Sequence, residues 1–197
     1  MEKFLEQSTY IDWGTPEVRQ LAERLSEAAT GDEVVAKRCF EWVRDSIRHS
    51  SDYKQNPVTC RASEVLRHGT GYCYAKSHLL AALLRANSIP ADLCYQRLSV
   101  EGDGAPHCLH GLVAVHLKAH GWYRIDPRGN KQGVDAQFTP PVERLAFSIL
   151  LDGEADLPEI WHEPHPIIPA TLERFATYDA VFANLPDILL LPRSTTA

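Results

Sequence analysis

The chain has 197 residues, 44% hydrophobic and 23% charged, enough to bury a sizeable core as one domain. Its net charge of −6 argues against a nucleic-acid groove or an anionic membrane surface as the main partner. The first residues carry no apolar signal segment and no stretch reaches the ~20 apolar residues that span a bilayer, so the expected compartment is the cytoplasm.

Thr15-Pro16-Glu17 opens a first helix with a capping hydroxyl, proline at the first helical position and an acid in the first turn; Val18, Leu21, Ala22 and Leu25 give it one apolar face. Thr30-Gly-Asp-Glu33 has the capping-box pattern. Val35, Ala36, Cys39, Phe40, Val43 and Ile47 recur behind it at helical spacing, which makes Cys39 a core residue. A polar connector follows His49, then a short helix over 61–67. Connectors of this length inside a compact domain often carry function.

Gly69 and Gly71 break the backbone just before a run of helix formers, so Cys73 falls at a helix N-terminus. Free N–H groups and the positive end of the helix dipole favour thiolate there. Leu79, Leu80, Leu83 and Leu84 supply the apolar side, and Asn87 with Ile89-Pro90 ends the helix. Lys76, one turn on, is expected to be a solvated surface lysine close enough to attract the thiolate.

Beyond Pro90 the period shortens. Residues 91–98 read as a strand, Gly102-Asp-Gly104 as a turn, 110–117 as a second strand, 119–121 as a turn and 122–126 as the returning strand, halted by Pro127. Residues 143–150 are predicted as one more strand and 172–183 as a helix, with Pro164, Pro166 and Pro169 marking an irregular stretch between them. Helices first and hairpins after imply an α+β fold with the Cys73 helix packed on an antiparallel sheet.

Five cysteines, at 39, 60, 73, 94 and 108, include no C-x-x-C pair, so reduced thiols are expected. A cysteine nucleophile needs a base within reach and an acid behind the base. His110 and Asp126 stand at opposite ends of the predicted hairpin. Direct opposition would centre that hairpin on Lys118, slightly before the turn, so a bulge or slip is expected. His107, Cys108, His110, His116 and His120 could in principle gather zinc, but the spacing fits no structural zinc pattern, and no metal or cofactor is expected. The oxyanion of acyl transfer needs donors. These are the Cys73 N–H and a side chain of the upstream connector, Tyr53 or Gln55, while Tyr72 and Tyr74 flank the nucleophile as cleft-lining candidates.

Gly71-x-Cys73 before Leu-Leu-Ala-Ala-Leu-Leu-Arg-Ala86 and Ile89-Pro90, a histidine opening a strand, and Trp122-x-x-x-Asp126-Pro127 together resemble the transglutaminase-like superfamily over roughly 34–130. The resemblance implies a circularly rearranged papain-like core within one domain over 1–197, with residues from about 140 as a C-terminal extension. It implies Cys73 as nucleophile, His110 as base and Asp126 as orienting acid. It departs from the family where many members place an aromatic two residues after the histidine and this chain has Leu112. The expected substrate is a peptide or amide, with hydrolysis ahead of transfer to an amine. A partner-binding domain that no longer turns over is the contrasting reading, and the sequence leaves the oligomeric state open.

Overall fold

Helices α1 (Pro16–Ser26) and α2 (Asp32–Ser46) form where the apolar spacing predicts them. The start of α2 differs from the predicted capping box. Gly31, with φ of 94°, precedes the helix, and no side chain caps it. The structure, a computed structural model, describes residues 1–190. Among these, no helix is long and apolar enough to cross a membrane.

The connector is more ordered than its polarity suggests. It contains β1 (Arg48–His49), α3 (Ser50–Tyr53), α4 (Ala62–His68) and β2 (Thr70–Gly71). Strand β1 pairs in parallel with β2, setting His49 opposite Gly71. Two residues further on, the chain enters α5 (Cys73–Ala86).

Helix α5 is the centre of the molecule. Every residue from Cys73 to Arg85 is buried, because α1, α2 and α4 pack on one side and the sheet on the other. Lys76, His78 and Arg85 find partners on backbone carbonyls, while the Ser77 hydroxyl and His78 Nε2 are buried with none among the described residues. Lys76 corrects the expectation of a solvated lysine: it is fully buried, and its Nζ donates to the carbonyls of Ile47 and Arg44 at the C-terminal end of α2. A cation belongs at that end of a helix dipole. His78 Nδ1 lies 2.7 Å from the Cys60 carbonyl, and Arg85 binds the carbonyls of Ala91, Glu6 and His162 together with Asp92.

The sheet is antiparallel, in the order β5-β4-β3-β6, built from β3 (Ala91–Ser99), β4 (His107–Leu117), β5 (Gly121–Ile125) and β6 (Ala155–Asp156). Strand β4 starts earlier than predicted because β3 pairs with it as far as Ser99↔His107, so His110 lies inside the strand instead of opening it. Leu117 faces Gly121 across the hairpin, which centres it on the turn without a bulge. His110 and Asp126 are consequently diagonal neighbours, a standard reach for long side chains in a sheet. Alternation along β4 sends Leu109, Val113 and Val115 into the main core and Leu112 and Ala114, with Cys94, into a second cluster under Leu145.

The C-terminal part departs most from expectation. Residues 143–150 form no regular strand. Their Ala146 N–H instead donates to Asp126, and that tie competes with ladder pairing. The predicted helix over 172–183 is two helices, α6 (Ile167–Arg174) and α7 (Tyr178–Phe182), separated by extended Phe175. Tyr178 is held at that break: its N–H donates to Asn56 and its carbonyl accepts the Tyr72 hydroxyl. Pro169 falls in the first turn of α6, where its missing N–H costs nothing, so the proline-rich stretch enters a helix after all.

The N-terminal turn of α5 lies directly against β4. A Cβ on Gly111 would stand 3.0 Å from Tyr74 Cα and 3.1 Å from Tyr74 Cδ1, too close for any larger residue without moving the helix. Gly111→Ala is expected to lose ~1–3 kcal/mol of stability by overpacking, measured by urea denaturation. An unchanged midpoint and slope would show that the approach is looser than described.

Candidate active site

Strand β5 stops at Ile125, where Pro127 forbids further pairing, and leaves the first half of β4 with an open outer edge. Cys73 fits into that gap. The Gly111 N–H, pointing away from β3, donates to Cys73 Sγ at 3.5 Å, which sets the sulfur beside the residue that follows His110. His110 Nε2 lies 2.8 Å from Asp126 Oδ2, leaving Nδ1 as the ring nitrogen free for the sulfur. All three side chains are buried: Cys73 and His110 are each 5% exposed and Asp126 0%.

Burial alone would keep the His110 ring neutral. The charge of Asp126, then that of Cys73, and the hydrogen bonds to both outweigh it and push the ring up to about 10. Asp126 is likewise penalised by burial. The His110 charge and hydrogen bonds from His110 and the Arg128 and Ala146 N–H groups, at 3.0 Å each, nonetheless hold its carboxyl below the usual range. Phe147 closes the other side of the imidazole, edge to face at 5.1 Å. A ring held by carboxylate, sulfur and aromatic wall has little rotational freedom.

A cavity of about 630 Å³ opens over Cys73 and His110, and both Tyr72 and Tyr74 line it. Their hydroxyls point into the protein, that of Tyr72 to the Tyr178 carbonyl and that of Tyr74 to the Leu109 carbonyl, so the rings serve as walls. Tyr53 and Gln55 are not brought to the cavity. Tyr53 is 59% exposed on α3 with Arg48 over its ring, because α3 turns its last residue outward. The connector contributes His49 and Ser51 to the lining instead.

His49 was missed by sequence reasoning. Its only signal is a parallel pairing of two dipeptides, invisible to periodicity. Its ring packs edge-on against Tyr72 at 5.4 Å, and its Nδ1 is buried without a hydrogen-bond partner among the described residues, 3.9 Å from Asp52. Burial first, and then the positive charges of Arg128, Lys76 and His110, hold it well below the ordinary imidazole range, against the pull of Asp52. Arg128, also lining the cavity, makes a two-pronged pair with Asp52 at 2.7 and 3.0 Å.

The remaining cysteines are free thiols that burial pushes upward, Cys39 and Cys108 to about 12 and Cys60 and Cys94 in the same direction. The other histidines go separate ways. His107 faces the Asp152 carbonyl, His116 meets Trp122 edge to face and His120 faces Glu33. Among the described residues no three His, Cys, Asp or Glu side chains gather around a metal position.

The model of the transglutaminase-like superfamily matches residues 19–127, from α1 through Asp126, just over half of the chain. No curated protein sequence matches significantly. Among solved structures, a "putative cysteine protease" from Cytophaga hutchinsonii superposes with a TM-score of 0.50 at 20% identity, over 64% of this chain and 40% of that one. The periplasmic domain of TgpA from Pseudomonas aeruginosa gives 0.47 at 20% identity, over 63% and 46%. The chain therefore spans less than half the length of these neighbours, and the first of them shares its α+β fold. With helix α5, the β4–β5 hairpin and the residues between them all inside the matched span, this chain belongs to the transglutaminase-like superfamily.

Proposed function

We propose that the chain is a cysteine-dependent acyl-transfer enzyme, with Cys73, His110 and Asp126 as its triad, that hydrolyses a peptide-like amide. The observation that carries this reading is that Cys73 and His110 line one cavity, with Asp126 hydrogen-bonded to the imidazole behind it. A charged His110 shares its proton with Cys73 as imidazolium and thiolate. The thiolate attacks the amide carbon, a C–S bond forms, and the carbonyl oxygen becomes an oxyanion. The Cys73 N–H, at the first position of α5 and without a partner inside the helix, is the donor the fold offers to that oxygen. His110 then passes its proton to the leaving nitrogen as the C–N bond breaks. Water attacks the thioester, gives its proton back to His110 and releases the acid. Asp126 holds the ring and balances its charge throughout.

Water as acceptor distinguishes this reading from amine transfer and from a binding domain. Mass spectrometry after incubation with a peptide and amide library, with and without a primary amine, is expected to show hydrolysed products with wild type and none with Cys73→Ala. Amine-linked products would replace hydrolysis by transfer, and turnover that survives in the variant would remove Cys73 from the chemistry.

The pH behaviour follows from His110. Its folded pKa lies above the ordinary 6.5, so its interaction with Asp126 contributes stability that is whole below that value and is lost as the pH rises through about 10. Asp126, held low, contributes stability present above the usual carboxylate range and lost as the pH falls. NMR titration of the His110 ring is expected to show it still charged at pH 8. In Asp126→Asn, where burial acts without its main opponent, the ring should titrate well below about 10. Equal titration in the two proteins would refute the assignment of Asp126.

A further inference from the structure

The open edge of β4 is not bare. Its Leu109 N–H donates to the Pro186 carbonyl at 2.7 Å, two residues before the Gly111 N–H that holds Cys73 Sγ. By the rise of a strand these two contacts are ~7 Å apart on one edge. The chain's own C-terminal segment thus lies where an extended polypeptide would pair with β4 and draw its backbone past the sulfur.

The backbone hold on that segment is slight, although Pro186 is buried and Leu185 and Ile188 pack against the main core. Pro186 has no N–H with which to complete a bridge, and the Leu109 carbonyl is taken by the Tyr74 hydroxyl. Past α7 the chain has no regular structure as far as Leu190. Its other polar anchor is the Arg97–Asp187 pair, at 2.7 Å through both Nε and Nη2, with Arg97 also donating to the Ile188 carbonyl. Asp187 is one-third exposed, which leaves the pair open to water and salt. Phe182 and Leu185 meanwhile form part of the cavity wall above Cys73.

We propose that residues 185–188 are a displaceable strap seated on the strand edge that a polypeptide substrate uses, so that short substrates reach Cys73 with the strap in place and long ones must lift it. This rests on the reading of Cys73 as the nucleophile. The strap makes a single backbone rung, whereas a substrate residue bearing an N–H could also use the second lone pair of the Leu109 carbonyl. An incoming polypeptide therefore outbids it on β4 once the ion pair opens.

The test uses the full chain with Asp187→Ala, and Asp187→Asn as a variant that keeps the shape and removes the charge. Two probes alkylate Cys73, iodoacetamide and a pentapeptide chloromethyl ketone, from which the thiolate displaces chloride. Hydrogen exchange of the Leu109 amide reads the strap directly, with α5 amides as the control for folding. The variants are expected to exchange Leu109 faster and to react with the pentapeptide probe about three- to tenfold faster, with iodoacetamide unchanged. Unchanged Leu109 exchange, or equal acceleration by both probes, overturns the strap. Should neither probe label Cys73 in any of the proteins, the catalytic reading fails and Leu109 exchange alone still decides the strap, a rise supporting it and no change overturning it.

Discussion

The close approach of α5 to β4 at Gly111 is the contact on which the rest depends. With no Cβ between them, the first turn of the helix reaches the backbone of the strand, and Cys73 takes a hydrogen bond from the strand itself. A helix so placed must be buried on all sides. That explains why α5 carries Lys76, His78 and Arg85 in a fully enclosed environment and why each is matched to backbone carbonyls. A buried donor left without an acceptor would cost ~1–3 kcal/mol. The carbonyls chosen come from separate parts of the chain, so these bonds also fix α2, the connector and the residues after β6 around the helix.

Electrostatics under the cavity form a second layer with the same logic. Asp126 is fully buried and keeps its charge because three donors meet it, one of them from the irregular residues 143–150. Arg128 lends its N–H to Asp126 and its guanidinium to Asp52, where Lys131 joins it. His49 lies among these cations and is kept neutral, while His110, facing Asp126 and the sulfur, is kept charged. Two imidazoles beside one cavity thus hold opposite protonation states, set by whether a carboxylate reaches hydrogen-bonding distance.

How much of this is legible in the sequence depends on its range. The α+β order, the Cys73 helix and the hairpin carrying His110 and Asp126 follow from apolar periodicity and from glycine and proline punctuation, which are local signals. The transglutaminase-like blocks are local too. What eludes the sequence is long-range. His49 reaches the cavity through two dipeptide strands, Lys76 is hidden by helices on the far side, and the residues over 143–150 give up strand form to bind Asp126. The break between α6 and α7 has the same origin, since Asn56 and Tyr72 hold Tyr178 from outside the segment. In each case a tertiary partner overrides a propensity.

The family core and the rim of the cavity differ in kind. The matched span ends at Pro127, so Cys73, His110 and Asp126 fall within it, while Phe147, Leu150, Leu151, Phe182 and Leu185 fall beyond it. The lining of the cavity is therefore shared between the family span and these five apolar residues with their neighbours beyond it. Their apolar character has a direct physical effect on the floor beneath. It adds to the burial of the His110–Asp126 pair, whose interaction strengthens as the local dielectric falls. Leu112 fits this division. Two residues after His110 this chain buries leucine in the cluster behind the sheet, and Phe147 supplies the aromatic wall against His110.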